Sequence, residues 1–198
     1  MKTLIYGGTF NPAHIGHINL AKNAKDFICP DKMLLIPSFI PPHKQQNSDI
    51  AEGCHRFNMA KLAAEDIGCE VSDIELKRND ISYSVYTLEE LKKQGCENIH
   101  FLMGSDMFLC LEKWFRFEDI LKLCTPVTAP RKKDELDILN THAERLNEIY
   151  RAKSIVCDFS VIDISSTQLR NRIRAKEDVS SFLTSKIEEY ISKNGLYR

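Results

Sequence analysis

Apolar residues recur at two spacings along the chain. Short unbroken runs, "TLIY" (3–6), "MLLIP" (33–37) and "IHFLMG" (99–104), are too brief for helices and read as strands buried on both sides. "PVTA" (126–129), "SIVC" (154–157) and "VIDI" (161–164) read as later strands, and the alternation in "CEVSDIEL" (69–76) suggests another. Between them the spacing becomes helical. Ile15, Ile18, Ala21, Ala24 and Ile28 form one face, closed by Pro30. Phe57, Leu62 and Ile67 mark a helix over 55–67 stopped by Gly68, and Val85, Leu88 and Leu91 mark one ended by Gly95. A short helix is expected over 114–123, and an amphipathic one along Leu136, Leu139, Ala143, Leu146 and Tyr150. Two helices finish the chain, the last carrying Leu183, Ile187 and Ile191 on one face, with Asn194 and Gly195 as its stop. Strands alternating with helices predict an α/β fold, a parallel sheet covered on both faces, in which ligands bind beyond the carboxyl ends of the strands. One domain over 1–198 is expected, with the C-terminal helices (about 166–198) packed on it.

That rule directs attention to "GGTFNPAHIGH" (7–17), where the first strand turns into the first helix. Gly7 and Gly8 let backbone approach a ligand closely. The helix start offers free amides, a ready anion site, and His14 and His17, three residues apart, project from one side of its first turn. Neither the G-x-x-x-x-G-K-[ST] nor the G-x-G-x-x-G phosphate fingerprint is present, so a phosphate device here is built on histidine. A lone histidine at this place would read as a helix cap or a packed ring. Metal binding would need a third ligand that the sequence does not supply.

"ISSTQLR" (164–170) is a second helix start. Ser165 or Ser166 suffices as the N-cap, so three hydroxyl residues exceed what capping requires. Arg170 near this end opposes the helix dipole by about 0.3–1 kcal/mol, a sign that a bound polyphosphate would reverse. The plain alternative is a surface arginine on a capped helix.

Composition narrows the classes. A net charge of −1 argues against affinity based on broad attraction to nucleic-acid phosphates. No apolar run approaches the roughly 20 residues that span a bilayer, and the chain enters a strand pattern at once, leaving no room for a signal peptide. The seven cysteines form no Cys-x-x-Cys pair. They read as reduced thiols of a cytoplasmic protein, and a zinc site is not expected.

"GGTFNPAHIGH" resembles the G-G-x-F-[DN]-P-x-H-x-G-H signature of the nucleotidyltransferase superfamily, and "ISSTQLR" its S-[ST]-T-x-x-R motif, in the same order and at opposite ends of the domain. "PPHK" (41–44), "SYSVYTL" (82–88), "GSD" (104–106), Trp114 followed by an aromatic, and "YISKNGLY" (190–197) are similar to bacterial nicotinate-mononucleotide adenylyltransferases over essentially the whole chain. Pantetheine-phosphate adenylyltransferases typically carry Thr where His14 stands. The resemblance implies a Rossmann-like doubly wound parallel sheet, the nucleotidyltransferase fold. It also implies transfer of the adenylyl group of ATP to nicotinate mononucleotide, with release of pyrophosphate.

It further implies roles for single residues. His14, His17 and Arg170 would be catalytic. Gly8, Thr9, Phe10, Gly104, Asp106, Ser165, Ser166 and Thr167 would join them in binding ATP, with Asp106 on the ribose unless it only caps the next helix. Asn11, Lys44, Ser84, Trp114, Phe115 and Arg131 would bind nicotinate mononucleotide, with Trp114 stacking on the pyridine ring unless it only packs. No metal-ligating residue is expected; Mg2+ would be held by ATP oxygens and water. Ser84 stands for a usual Thr and Phe115 for a usual Tyr. No nucleic acid or membrane partner is expected, and a homo-oligomer stays open. The alternatives are a nicotinamide-mononucleotide or other small-phosphate adenylyltransferase of the same fold, and a nucleotide-binding regulator without catalysis.

Overall fold

The computed structural model describes residues 1–41, 49–159 and 161–198. Six parallel strands run β1 (Lys2–Gly8), β2 (Lys32–Pro37), β3 (Glu70–Val71), β4 (Asn98–Leu102), β5 (Thr125–Thr128) and β6 (Ile155–Val156). Their order across the sheet is β3-β2-β1-β4-β5-β6. The chain works outward from β1 through β2 to β3, then returns to the other side of β1 with β4 and continues to β6. The switch point between β1 and β4, paired from Lys2↔Asn98 to Tyr6↔Leu102, therefore opens a crevice at the carboxyl edge. This is the parallel sheet that the strand-helix alternation predicts, in the doubly wound order that the resemblance implies.

The uninterrupted apolar strands are explained by burial on two sides. In β1, Leu4 and Tyr6 enter one core while Ile5 enters the other; in β2, Met33 and Leu35 part from Leu34 and Ile36 in the same way. Over the first face lie α1 (Ile15–Ile28), α2 (Gly53–Ile67) and α9 (Ser185–Lys193), through residues such as Ala21, Met59, Ile187 and Ile191. Over the second lie α4 (Ser84–Lys93), α6 (Phe117–Leu123) and α7 (Leu136–Tyr150), through Leu88, Ile120 and Leu139. Helix α8 (Ser166–Arg174) adds Leu169 to the first core, so the C-terminal helices share it with α1 and α2. Among the described residues no helix is long and apolar enough to cross a membrane.

Three expectations are corrected. Within 69–76 only Glu70 and Val71 pair with β2, and α3 (Ile74–Arg78) follows. The alternation there is too short to separate strand from helix, and the Ser72 Oγ accepts the Ile74 amide at the turn into α3. "VIDI" forms no ladder. It leaves the sheet after β6 and crosses the start of α1, where the Ile162 amide bonds to the Asn19 Oδ1. The helix expected from Trp114 begins only at Phe117, because Arg116 turns left-handed (φ 53°) and breaks the chain there. The five-residue α5 (Ser105–Leu109) has no apolar period long enough to reveal it in sequence.

Candidate active site

Above the carboxyl ends of β1, β4 and β5 lies a cleft of about 730 Å³. One wall comes from the first motif. After Gly8 the chain turns at Phe10, which is buried in a left-handed conformation (φ 50°), and then passes through the cis Asn11–Pro12 bond into α1. His14 is the N-cap of α1, and its Nδ1 accepts the His17 amide at 3.4 Å. The His14 and His17 rings stack with centroids 3.7 Å apart, and Phe10 meets His17 edge-on. Both imidazoles line the cleft. His14 is therefore both a cap and a cleft residue. Burial, with the positive Arg131 adding to it, holds its pKa down to about 3. A neutral ring accepting at Nδ1 carries its proton on Nε2, which leaves one donor. Two amides expected to be free are already engaged: that of His17, and that of Ile15, which donates to the Phe182 carbonyl at 3.0 Å.

The second motif forms the adjoining wall. Ser165 caps α8 in a capping box with Gln168, and the Ser166 hydroxyl donates to the Pro12 carbonyl at 3.2 Å, joining the two motifs. Ser165, Ser166 and Thr167 line the cleft. The glycine of His-x-Gly-His has a structural cause. A Cβ on Gly16 would sit 2.9 Å from both the Ile162 carbonyl oxygen and the Ile164 Cγ2, so only glycine lets α1 meet the segment that feeds α8.

Arg170 is placed differently from the expectation. It is 4% exposed and is not part of the cleft lining; it stands behind the wall. Its Nη1 donates to the Asn11 carbonyl at 3.0 Å and its Nη2 to the Thr167 Oγ1 at 3.3 Å, while its Nε has no partner among the described residues. Asn11 is likewise buried, and its side chain is committed to protein. Its Oδ1 accepts from the Ala51 amide and the Tyr197 hydroxyl, and its Nδ2 donates to the Asp49 carbonyl. Phe10 supports His17 from below and does not line the cleft. Lys44 lies outside the described residues.

The far end of the cleft carries the remaining residues. Gly104 is the N-cap of α5, so Asp106 is not the cap; it lies in the first turn and pairs with Arg131 at 2.9 Å. The Arg131 amide is fixed by the Glu135 carboxylate at 2.8 Å. Trp114 is half-buried against Phe101, and its indole Nε1 is buried with no partner among the described residues. Phe115 is 45% exposed and tilts over Tyr83 with 4.7 Å between centroids. Ser84 opens α4 beside it. Sequence reasoning missed Ser38, Glu75, Tyr83 and Lys113, all of which line the cleft. Ser38 follows directly on β2, at the carboxyl edge where ligands bind, which was a usable signal. Glu75 was hidden by the strand reading of its segment.

Cleft-lining carboxylates are few. Asp106 is engaged with Arg131, and Glu75 is buried in the wall. Among the described residues only Glu52, Cys54 and His55 gather metal-ligating atoms closely, and they lie outside the cleft. Among the described residues the cleft lining offers no cluster of carboxylates that would cage a divalent cation.

The cytidylyltransferase-like family matches this chain over residues 5–172. A protein named "Probable nicotinate-nucleotide adenylyltransferase" from Caldicellulosiruptor saccharolyticus is 39% identical over 199 residues, covering 100% of both chains. One of the same name from Hydrogenobaculum sp. is 36% identical over 100% of this chain and 98% of its own. Among solved structures, the Plasmodium falciparum nicotinic acid mononucleotide adenylyltransferase complexed with NaAD superposes with a TM-score of 0.80. It is 16% identical and covers 100% of this chain and 98% of its own, a likeness of fold.

Proposed function

The chain belongs to the cytidylyltransferase-like family and, within it, to the nicotinate-nucleotide adenylyltransferases, and we propose that it transfers the adenylyl group of ATP to nicotinate mononucleotide, giving nicotinate adenine dinucleotide and pyrophosphate. One observation carries the reading. Two stacked imidazoles and the start of α8 line one part of a single cleft, and aromatic rings line another.

The phosphate of the mononucleotide is itself the nucleophile. Its oxygen forms a bond to the α-phosphorus of ATP as the bond to the pyrophosphate oxygen breaks, so the protein needs only to align the reactants and neutralise charge. Alignment can supply about 7–11 kcal/mol of a barrier. His14, through Nε2–H, and His17 would donate to the triphosphate, and the first turn of α8 would hold the departing phosphates through amides and the Thr167 hydroxyl. Arg170, with its Nε unengaged, would reach them by turning from the Asn11 carbonyl. Asp106 would accept ribose hydroxyls on the lone pairs that Arg131 leaves open, beside Gly104, and Arg131 would offer its remaining donors to the mononucleotide phosphate. Trp114 would stack on the pyridine ring, with Phe115 and Ser84 at its edge and Gly8 and Thr9 beneath the reacting phosphates. Mg2+ would be held by ATP oxygens and water. Bound there, it would offset phosphate charge. The seven free cysteines fit a reducing cytoplasm.

The test is incubation with ATP, magnesium and either nicotinate or nicotinamide mononucleotide, identifying the dinucleotide by mass. Nicotinate adenine dinucleotide should dominate. Preference for the amide would move the chain to the nicotinamide form, and no pyrophosphate release would make it a nucleotide-binding regulator.

A further inference from the structure

Glu75 is the carboxylate of the cleft wall that the proposed reaction leaves without a task. It is only 6% exposed although it lines the cleft. Its Oε1 accepts the buried Thr87 hydroxyl at 2.7 Å, and Thr87 in turn accepts from the Arg78 Nη2 at 3.0 Å. Ser82 lies beside the carboxylate, where its hydroxyl, like that of Thr87, draws the Glu75 pKa down.

These partners are not scattered. Ser82 and Thr87 flank Tyr83 and Ser84, the two residues that face the aromatic end of the cleft at the start of α4. Ser82 also stitches this turn to the segment after β2. Its Oγ accepts the Phe39 amide at 2.8 Å, its amide donates to the Ile40 carbonyl at 2.9 Å, and Ile40 and Ile81 form a parallel bridge. On the other side Arg56, 2% exposed, grips the carbonyls of Ser38, Phe39, Thr9 and Ala51. Two backbone segments thus form one wall, with a buried cation holding carbonyls of one and a buried carboxylate holding the Thr87 hydroxyl of the other. Burial pushes the Glu75 pKa up, against the pull of the Thr87 and Ser82 hydroxyls, Arg78 and Arg56. A link needed only for packing could be made by apolar side chains, often at no loss of stability.

We propose that Glu75 is a positioning residue for mononucleotide binding: through Thr87, with Ser82 beside it, it fixes the Tyr83–Ser84 turn against which the pyridine ring of the acceptor seats. The inference rests on the reaction proposed above. A shift of the Tyr83–Ser84 turn would strain the Thr87–Glu75 hydrogen bond, so its placement is set before the acceptor arrives.

The test varies nicotinate mononucleotide and ATP separately for wild type, Glu75→Ala, Glu75→Gln and Thr87→Val. In the Ala and Val variants KM for the mononucleotide should rise about tenfold or more, with KM for ATP and kcat within about twofold of wild type. Glu75→Gln, which keeps the shape and one acceptor, should restore most of the loss. An unchanged mononucleotide KM with a lowered Tm, or an equal rise in both KM values, overturns the inference. If Glu75→Ala does not fold, the Gln and Val variants decide by the same criteria. Absence of dinucleotide formation by the wild type would instead overturn the reaction on which the inference rests.

Discussion

The His14 Nδ1 holds the His17 amide while the two imidazoles stack 3.7 Å apart, so the cap of α1 and its cleft face are one structure. Capping fixes the His14 ring, the ring fixes its tautomer, and the stack fixes the neighbour. Neither histidine needs substrate to find its place. Such prior orientation is what makes a donor effective at a developing charge, since no reorganisation is left for the moment of reaction.

Removing His17 should therefore lower kcat while leaving the fold standing. His17 is only half-buried, and His14 would still cap the helix. We expect His17→Ala to lose about 10²–10³ in kcat, the usual loss for one such donor. Steady-state rates paired with a melting curve check this; near-normal turnover in a folded variant would remove His17 from the mechanism.

Acid should destabilise the protein through His14. Its folded pKa, about 3, lies below the 6.5 of an exposed imidazole, because burial and Arg131 disfavour the charged ring. Between those values the unfolded chain binds a proton that the folded chain refuses. Stability from this group is complete above about pH 6.5 and falls as pH drops toward 3, by at most about 1.4 kcal/mol per pH unit. His14→Asn keeps a capping side chain but not the titration. Urea midpoints at pH 7 and 4.5 should separate more for wild type than for the variant; equal separations would assign the acid loss to other groups.

Gly16→Ala tests the contact between the two motifs. At an ordinary helical site this change stabilises by about 0.4–1 kcal/mol. Here the new methyl meets a backbone carbonyl and the Ile164 side chain at 2.9 Å, and a carbonyl cannot rotate aside. Overpacking of this kind costs about 1–3 kcal/mol and should push 162–164, and with it the start of α8, away from α1. Both Tm and kcat should fall. A rise in Tm would mean that the two walls are not in contact at this point.

The two helix-start motifs of the cleft and the alternation of the sheet were legible because both depend on local signals. Burial on two faces leaves an unbroken apolar strand, and an unusual density of His, Gly and hydroxyl residues at two helix starts exceeds what turns require. Arg170 and Asn11 were harder. Their residue types suit a phosphate or a substrate, but only tertiary structure shows that Arg170 spends a donor on the Asn11 carbonyl and that Asn11 is tied to Ala51, Asp49 and Tyr197, residues 38 or more positions away. Glu75 was illegible for a similar reason, since its proposed role comes from Thr87 meeting it, with Ser82 beside it, across a helix start that the alternating pattern concealed. Spacing reports which face a residue occupies and says nothing of which partner has already claimed it.

Arg170 remains the sharpest test of how the second motif works. Behind the wall, it is a bracket joining the Asn11 turn to Thr167, and its Nε, without a partner among the described residues, gives it a reason to turn when phosphate arrives. Lysine keeps the charge but, as a compact point donor, cannot hold two partners in the planar geometry of guanidinium. Arg170→Lys should therefore fold and bind ATP with a KM close to wild type, yet lose about tenfold or more in kcat. Product inhibition separates bracket from ligand. If Arg170 turns to the departing pyrophosphate, the inhibition constant for pyrophosphate should rise at least tenfold in the lysine variant. If that constant is unmoved while kcat falls, Arg170 acts only by holding Asn11 and Thr167 in place, and the departing charge is met by the imidazoles and the amides of α8.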